Sequence, residues 1–281
     1  MEREIQKLFE GAVMKGMDFY IPYLVSATKL DYKTCVALFD IYKDETDTGY
    51  TFDEMLNPEF YTFPKMIEMY NNGFQEIIPS KFYENEIFLK TIEMQEYPTG
   101  LFKGNTSIKT FKVPKYIRKI GAETFAECDN LEKIIIEDRE DVFIIDKMAF
   151  QDCRKLKSVI LPSKTNVREN AFTCCLRLSD INIENIEKFE NLAFMECISL
   201  KEVQLNEVVK TLPPCVFYGC IELENIDLKN VEIIEEEAFR KCAKLDNVDL
   251  SNVTGIKPGA FASTMMVKKH RDEIKEKVIR E

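Results

Sequence analysis

The sequence predicts an α/β solenoid of about eight short coils, with a parallel sheet along one face, a helical N-terminal domain and a C-terminal capping helix. Three observations predict it. One motif is written six times between Thr124 and Leu250, as TFAECDNLEKIII, AFQDCRKLKSVIL, AFTCCLRLSDINI, AFMECISLKEVQL, VFYGCIELENIDL and AFRKCAKLDNVDL. Its anchors Phe125, Phe150, Phe172, Phe194, Phe217 and Phe239, with weaker copies at Phe102 and Phe261, lie 22 to 25 residues apart. Each complete copy contains L-x-x-I-x-L or a close variant, and a period in the twenties with that pattern inside it marks a solenoid.

Taking the chain in order, residues 1–90 lack the repeat and read as a small helical domain. Ile5, Leu8, Phe9 and Ala12 lie at helical spacing, and Asp31 is a good N-cap for a helix through Cys35, Leu38, Phe39 and Tyr42. Thr51 and Glu54 form a capping box, and Pro64 suits the first turn of a helix running to Tyr70. EIFLKTIEM, with Ile87, Leu89 and Ile92 on one face, reads as a degenerate first strand.

Residues 91–264 are the solenoid. In LEKIII or LKSVIL the apolar residues alternate, so they share one face of a short strand. One strand cannot bury that face alone, whereas stacked coils build a continuous core. Ile120, Ile145, Val167, Phe189, Leu212, Ile234 and Ile256 recur five places before each Phe and close the returning side of the coil. The one long gap, EDREDVF after Ile136, reads as an acidic surface bulge. Residues 265–281 break the repeat and read as a charged capping helix, with Met266, Ile274 and Val278 near one stripe.

The pattern resembles the BspA-type (Treponema pallidum-type) leucine-rich repeats, whose unit reads roughly I-G-x-x-A-F-x-x-C-x-x-L-x-x-I-x-I-P. Ile120-Gly121, Thr124-Phe125, Cys128, Leu131, Ile134 and Ile136 carry it best. The resemblance implies an interaction module in which the repeats bind rather than catalyse, and it transfers no catalytic residue.

Composition narrows the function. A net charge of -11 argues against a binder of nucleic-acid phosphates. No window of about 18 apolar residues spans a membrane. The opening MEREIQKLFEGAVMKGMDF has no apolar run fit for a signal peptide, so the expected location is cytoplasmic. Six of the nine cysteines (Cys128, Cys153, Cys175, Cys197, Cys220 and Cys242) hold one repeat position, where a small hydrophobe is wanted. They lack the C-x-x-C pairs or added His of metal sites, so buried reduced thiols are expected, with no metal and no cofactor. Cys35, Cys174 and Cys215 break the pattern and are the candidates for reactive thiols.

Catalytic signatures are missing from the sequence. Its single histidine, His270, lies in the charged tail, and neither common phosphate-cradling motif occurs. DETDTGYTFDEM imitates a calcium loop but puts Thr46 and Thr48 at ligand positions and Met55 at the twelfth. The expected function is therefore non-enzymatic protein recognition. In L-x-x-I-x-L the residues beside the Ile point away from the core and line the concave sheet that solenoids use for binding. The candidates are Lys112, Lys133, Ile135, Ile160, Asp180, Asn182, Glu202, Gln204, Asn225, Asp227, Asn247 and Asp249. Ile135 and Ile160 form an apolar anchor patch, and the acidic members favour a protein partner with a basic surface. Two alternatives stand beside this reading: residues 1–90 are the effector and the solenoid a scaffold, or they hold a small enzyme or metal site.

Overall fold

The computed structural model describes residues 80–279 apart from Asn247, together with Met66, Ile67, Tyr70, Asn71 and Ile78. Most of the expected helical domain, the calcium-like loop and Cys35 therefore lie outside the described residues. Two compact units meet in the chain at Phe82 and Tyr83, and the second, Tyr83–Glu281, holds the solenoid.

That unit opens with a helix where the apolar alternation suggested a strand. Helix α1 spans Glu86–Thr91, and the Asn85 side chain caps it by accepting from the Ile87 and Phe88 backbone N–H groups. The cap decides the conformation. Adjacent Phe88 and Leu89 are buried, whereas Ile87, assigned to a core face by alternation, is 69% exposed. Tyr83 and Phe88 then cover the first coil, with the Tyr83 ring edge-on to Phe102 at 5.3 Å.

Strands follow in two interleaved series. The even series is β2 (Thr110–Val113), β4 (Lys133–Ile136), β6 (Ser158–Ile160), β8 (Asp180–Ile181), β10 (Glu202–Gln204) and β12 (Asn225–Asp227). The odd series is β1 (Glu96–Tyr97), β3 (Lys119–Ile120), β5 (Phe143–Ile145), β7 (Thr165–Val167), β9 (Ile186–Phe189), β11 (Thr211–Leu212) and β13 (Ile233–Ile234), followed by β14 (Gly255–Ile256). All pairing is parallel. The even strands are the L-x-x-I-x-L segments, and the odd strands carry the returning-side residues, all of them buried. There are about seven turns: an eighth begins with β14 and Phe261 and then gives way to helix.

Between each odd and even strand the chain makes the Phe turn, and this turn is the most regular part of the molecule. Residues two before and two after each Phe have positive φ, as at Glu123 and Glu127 around Phe125, or Asn170 and Cys174 around Phe172. Alternating hand points every second N–H at the next coil. Thus Glu123, Phe125 and Glu127 donate to the carbonyls of Lys147, Ala149 and Gln151 at 3.0, 2.8 and 2.8 Å, and the same triplet recurs down the stack. The left-handed conformation costs a non-glycine residue about 1–2 kcal/mol, which the three bonds, each worth roughly 1 kcal/mol net, offset.

The turn ladder sets the pitch for the core. From Phe125 to Phe261 the rings stack with centroids 5.1–5.8 Å apart and planes within 18°. Each ladder cysteine sits beside them and donates its S–H to the Phe carbonyl of the preceding coil, at 2.9–3.3 Å.

Both strand series are interrupted, whereas the Phe turns continue without a gap. In the odd series the residue four before Phe donates back to the previous coil, as Asp146 does to Ile120 and Glu235 to Leu212. Pro213 occupies that place in the sixth coil and has no N–H, so β9 and β11 do not pair. In the even series β8 ends at Ile181, and the chain enters a 3-10 turn at Ile183–Asn185. The single continuous sheet expected from the repeat is thus a four-stranded and a two-stranded piece.

The C-terminal cap also departs from the single helix expected over 265–281. Helices α2 (Met266–Lys269) and α3 (Arg271–Glu276) are separated at His270, and Val278 then lies alongside Ile256 as a further parallel bridge. Of the expected stripe, Met266 is fully buried while Ile274 and Val278 are half-buried.

Two glycines separate backbone strain from crowding. Gly104 has φ +69° and open space where a Cβ would stand, whereas a Cβ on Gly121 would meet the Tyr97 carbonyl oxygen at 2.3 Å. Gly104→Ala is expected to cost about 1 kcal/mol, and Gly121→Ala about 3 kcal/mol or more because β1 must move off β3. Urea melts of both variants check the ranking; equal losses would contradict it.

Candidate functional site

The expected contact residues other than Asn247 follow the even strands, in two halves of different chemistry. In the first, register places Lys112 beside Ile135 and Ile135 beside Ile160. Ile160 is 43% exposed and Ile135 half-buried, so an apolar step does stand on the surface. Lys112 is tied to Glu137 at 2.5 Å, a pairing that raises the lysine's pKa and lowers the carboxylate's. The edge of β2 is closed as well, because the Glu84 carboxylate accepts the Lys112 backbone N–H at 3.0 Å. Lys133 faces Ser158 in the ladder, and Ser158 donates to Asp180 at 2.7 Å.

Asn182 has a structural task. Its Oδ1 accepts from the Leu161 N–H at 2.8 Å, and its Nδ2 donates to the Leu161 carbonyl at 2.9 Å. The side chain replaces the strand pairing that stops at Ile181, so its amide is not free to meet a partner. Nothing in the residue type marked this in advance.

The second half is acidic. Glu202 pairs in register with Asn225, and Gln204 with Asp227, and these four line a depression of about 340 Å³. Asp227 accepts the Lys229 N–H at 3.0 Å, and Asp249 accepts the Ser251 N–H at 2.8 Å. Those backbone bonds hold both carboxyls below their ordinary pKa, so both stay charged. Lys229 lies 3.2 Å from Asp227 and neutralises part of that charge. Asn247 lies outside the described residues.

The thiols behave as a packed column. All eight described cysteines are free, and the six of the ladder are buried. Burial pushes Cys153, Cys175, Cys197 and Cys220 well above the ordinary thiol value and Cys242 up to about 12. Cys174 and Cys215, singled out for reactivity, occupy left-handed turn positions after and before their Phe, at φ 60° and 56°. Partial burial raises both, Cys174 to about 11, so neither is an activated thiolate. Among the described residues no cluster of His, Cys, Asp and Glu is arranged to hold a metal ion.

The repeat geometry and the sequence model agree. The family model for the BspA-type leucine-rich repeat region matches residues 75–191 and 165–280, in six copies. The chain belongs to the BspA-type leucine-rich repeat family. Solved structures similar to it include a Bacteroides ovatus ATCC 8483 leucine-rich repeat protein, at 25% identity over 66% of this chain and 46% of that one, TM-score 0.49. The Treponema pallidum leucine-rich repeat protein is 22% identical over 66% of this chain and 78% of that one, TM-score 0.49. A leucine-rich cell surface protein of Faecalibacterium prausnitzii A2-165 is 19% identical over 60% of this chain and 43% of that one, TM-score 0.35. The chain thus spans about half the length of the Bacteroides ovatus protein. A search of curated proteins returns no significant match. Leucine-rich repeat proteins are generally protein-interaction scaffolds built from non-enzymatic repeats.

The raised thiols bear on stability through their protons. Above pH 9 the unfolded chain releases thiol protons that the folded chain keeps, so stability falls as pH rises toward the folded values and is unaffected well below 9. Each such thiol contributes a slope of up to about 1.4 kcal/mol per pH unit. Denaturant melts from pH 8 to 11 should show this loss, and a Cys197→Ala/Cys220→Ala variant should show a shallower one. The ladder thiols should also resist a thiol reagent at neutral pH until the chain unfolds.

Proposed function

We propose that this chain is a non-enzymatic recognition module, and that the even-strand face, the concave side in leucine-rich repeats, binds a protein partner. The observation that carries this reading is the depression between β10 and β12, where Glu202, Gln204, Asn225 and Asp227 converge with Asp249 charged on the next coil. Such a surface suits a partner with a basic patch, which it would steer and orient more than it would tighten. Ile135 and Ile160 supply the apolar contact that an interface centre requires. The net charge of -11 disfavours nucleic acid as the partner. The free thiols favour a reducing compartment, and the cytoplasm is the location we propose. No described helix is long and apolar enough to cross a membrane.

The test compares capture from lysate of the source cells by wild type and by a Glu202→Lys/Asp227→Lys/Asp249→Lys variant, both verified as folded by circular dichroism. A partner held by wild type, released by added salt and lost by the folded variant supports the acidic half as the site. Equal capture by both removes that face and directs the search to residues 1–90, where the rival effector reading lies.

A further inference from the structure

The insertion after Ile136 is not the plain surface bulge that its acidic composition suggested. Asp138, Glu140, Asp141 and Val142 are exposed, but Arg139 folds back inside and is only 6% exposed. Its guanidinium lies 4.3 Å from the centre of the Phe143 ring. Nε and Nη2 donate to the Glu137 carbonyl at 3.1 and 2.8 Å, and Nη2 reaches the Pro114 carbonyl at 3.5 Å. The remaining nitrogen, Nη1, is buried with no hydrogen-bond partner. No carboxylate among the described residues forms an ion pair with this side chain.

The Glu137 and Asp138 carboxylates act on the guanidinium only through space, and a buried cation without a direct ion pair is costly, so proteins ordinarily pair it. The surroundings of Arg139 supply more positive charge. Two cavities, of about 380 and 420 Å³, share Lys115, Arg139 and Glu140 in their walls. Arg118 lines the first and Lys164 the second. Lys115, Arg118 and Lys164 are exposed and form no ion pair among the described residues. The acids are differently placed: Glu86, also in the wall of the first cavity, is paired with Lys90 at 2.5 Å, Asp138 is taken up by the Ser163 N–H and hydroxyl at 2.9 and 3.0 Å, and Glu140 and Asp141 are exposed.

We propose that these joined cavities bind a small multivalent oxyanion of the phosphate type, with Arg139 at the floor and Lys115 and Arg118 closing on it from the surface. Guanidinium groups present paired N–H donors that match phosphate oxygens, and lysine adds a mobile point charge. Glu140 and Asp141 weaken the site by repulsion. Free phosphate and a phosphate ester offer the same chemistry, and the experiment separates them.

The 281-residue chain is titrated calorimetrically with inorganic phosphate, pyrophosphate and phosphoserine, with acetate as the monovalent control at matched ionic strength. Saturable binding of a phosphate-bearing probe, and none of acetate, is expected; preference for phosphoserine identifies an ester as the natural form, and preference for the inorganic ions a free anion. A Lys115→Gln/Arg118→Gln variant should bind about tenfold more weakly, and a Glu140→Gln/Asp141→Asn variant more tightly. Arg139→Met should abolish binding; if it does not fold, the two exposed-residue variants decide. Absence of saturable binding to wild type, or affinity unchanged in those two variants, would overturn the proposal.

Discussion

Everything in this solenoid hangs from the hydrogen-bonded Phe turn. Alternating right- and left-handed residues aim the N–H groups two before, at and two after each Phe into the carbonyls of the coil above. Because those bonds repeat at every step, they fix the rise between coils. A fixed rise is what lets flat rings stack within 18° of parallel and lets each cysteine reach the preceding Phe carbonyl. The sheets, by contrast, tolerate interruption. At Pro213 a rung is lost for want of an N–H, and at Asn182 a side-chain amide stands in for backbone, yet the Phe172, Phe194 and Phe217 turns remain bonded to one another across both gaps.

That division of labour frees the even-strand face. Its strands are two to four residues long and contribute only their inward Phe, Ile or Val to the core. Outward positions can therefore change chemistry along the stack without disturbing the coil. They run from Lys112, Ile135 and Ile160 to Glu202, Asp227 and Asp249, with the break at Asn182 marking the transition. A surface assembled in this way is written coil by coil, each coil setting its own outward side chains beside those of its neighbours.

The ends and the insertion follow a different logic, because there the stack no longer supplies partners. Glu84 closes the exposed edge of β2, and Phe88 of α1 packs edge-on against Tyr83, whose ring in turn meets Phe102. At the far end Val278 adds a last bridge to Ile256. Arg139 fills the space opened by the longest spacing between anchors, using its apolar stem and its ring contact with Phe143, and leaves one nitrogen without a protein partner.

The repeat itself was legible because its signal is periodic: Phe, Cys, Leu and the returning-side Ile recur at fixed offsets, and stacking allows only one arrangement in which all are buried. The even-strand column followed from the alternation of side chains. What the sequence could not disclose lay where periodicity gives no vote. The left-handed positions are mostly Glu, Met, Asp, Cys and Lys rather than Gly, so Cys174 and Cys215 looked like exceptions and were turn residues. Ile87 and Leu89 alternated like a strand, but the Asn85 cap drew them into a helix. Asn182 read as a partner contact of the concave face and Arg139 as part of a surface bulge, until the neighbouring coils supplied Leu161 and Pro114 as partners. The chain alone thus determined the coil and its contents, because local pattern and burial suffice for them. Tertiary structure decided which polar side chains serve the backbone and which are left free, because that depends on groups some 20 residues away that only stacking brings within reach.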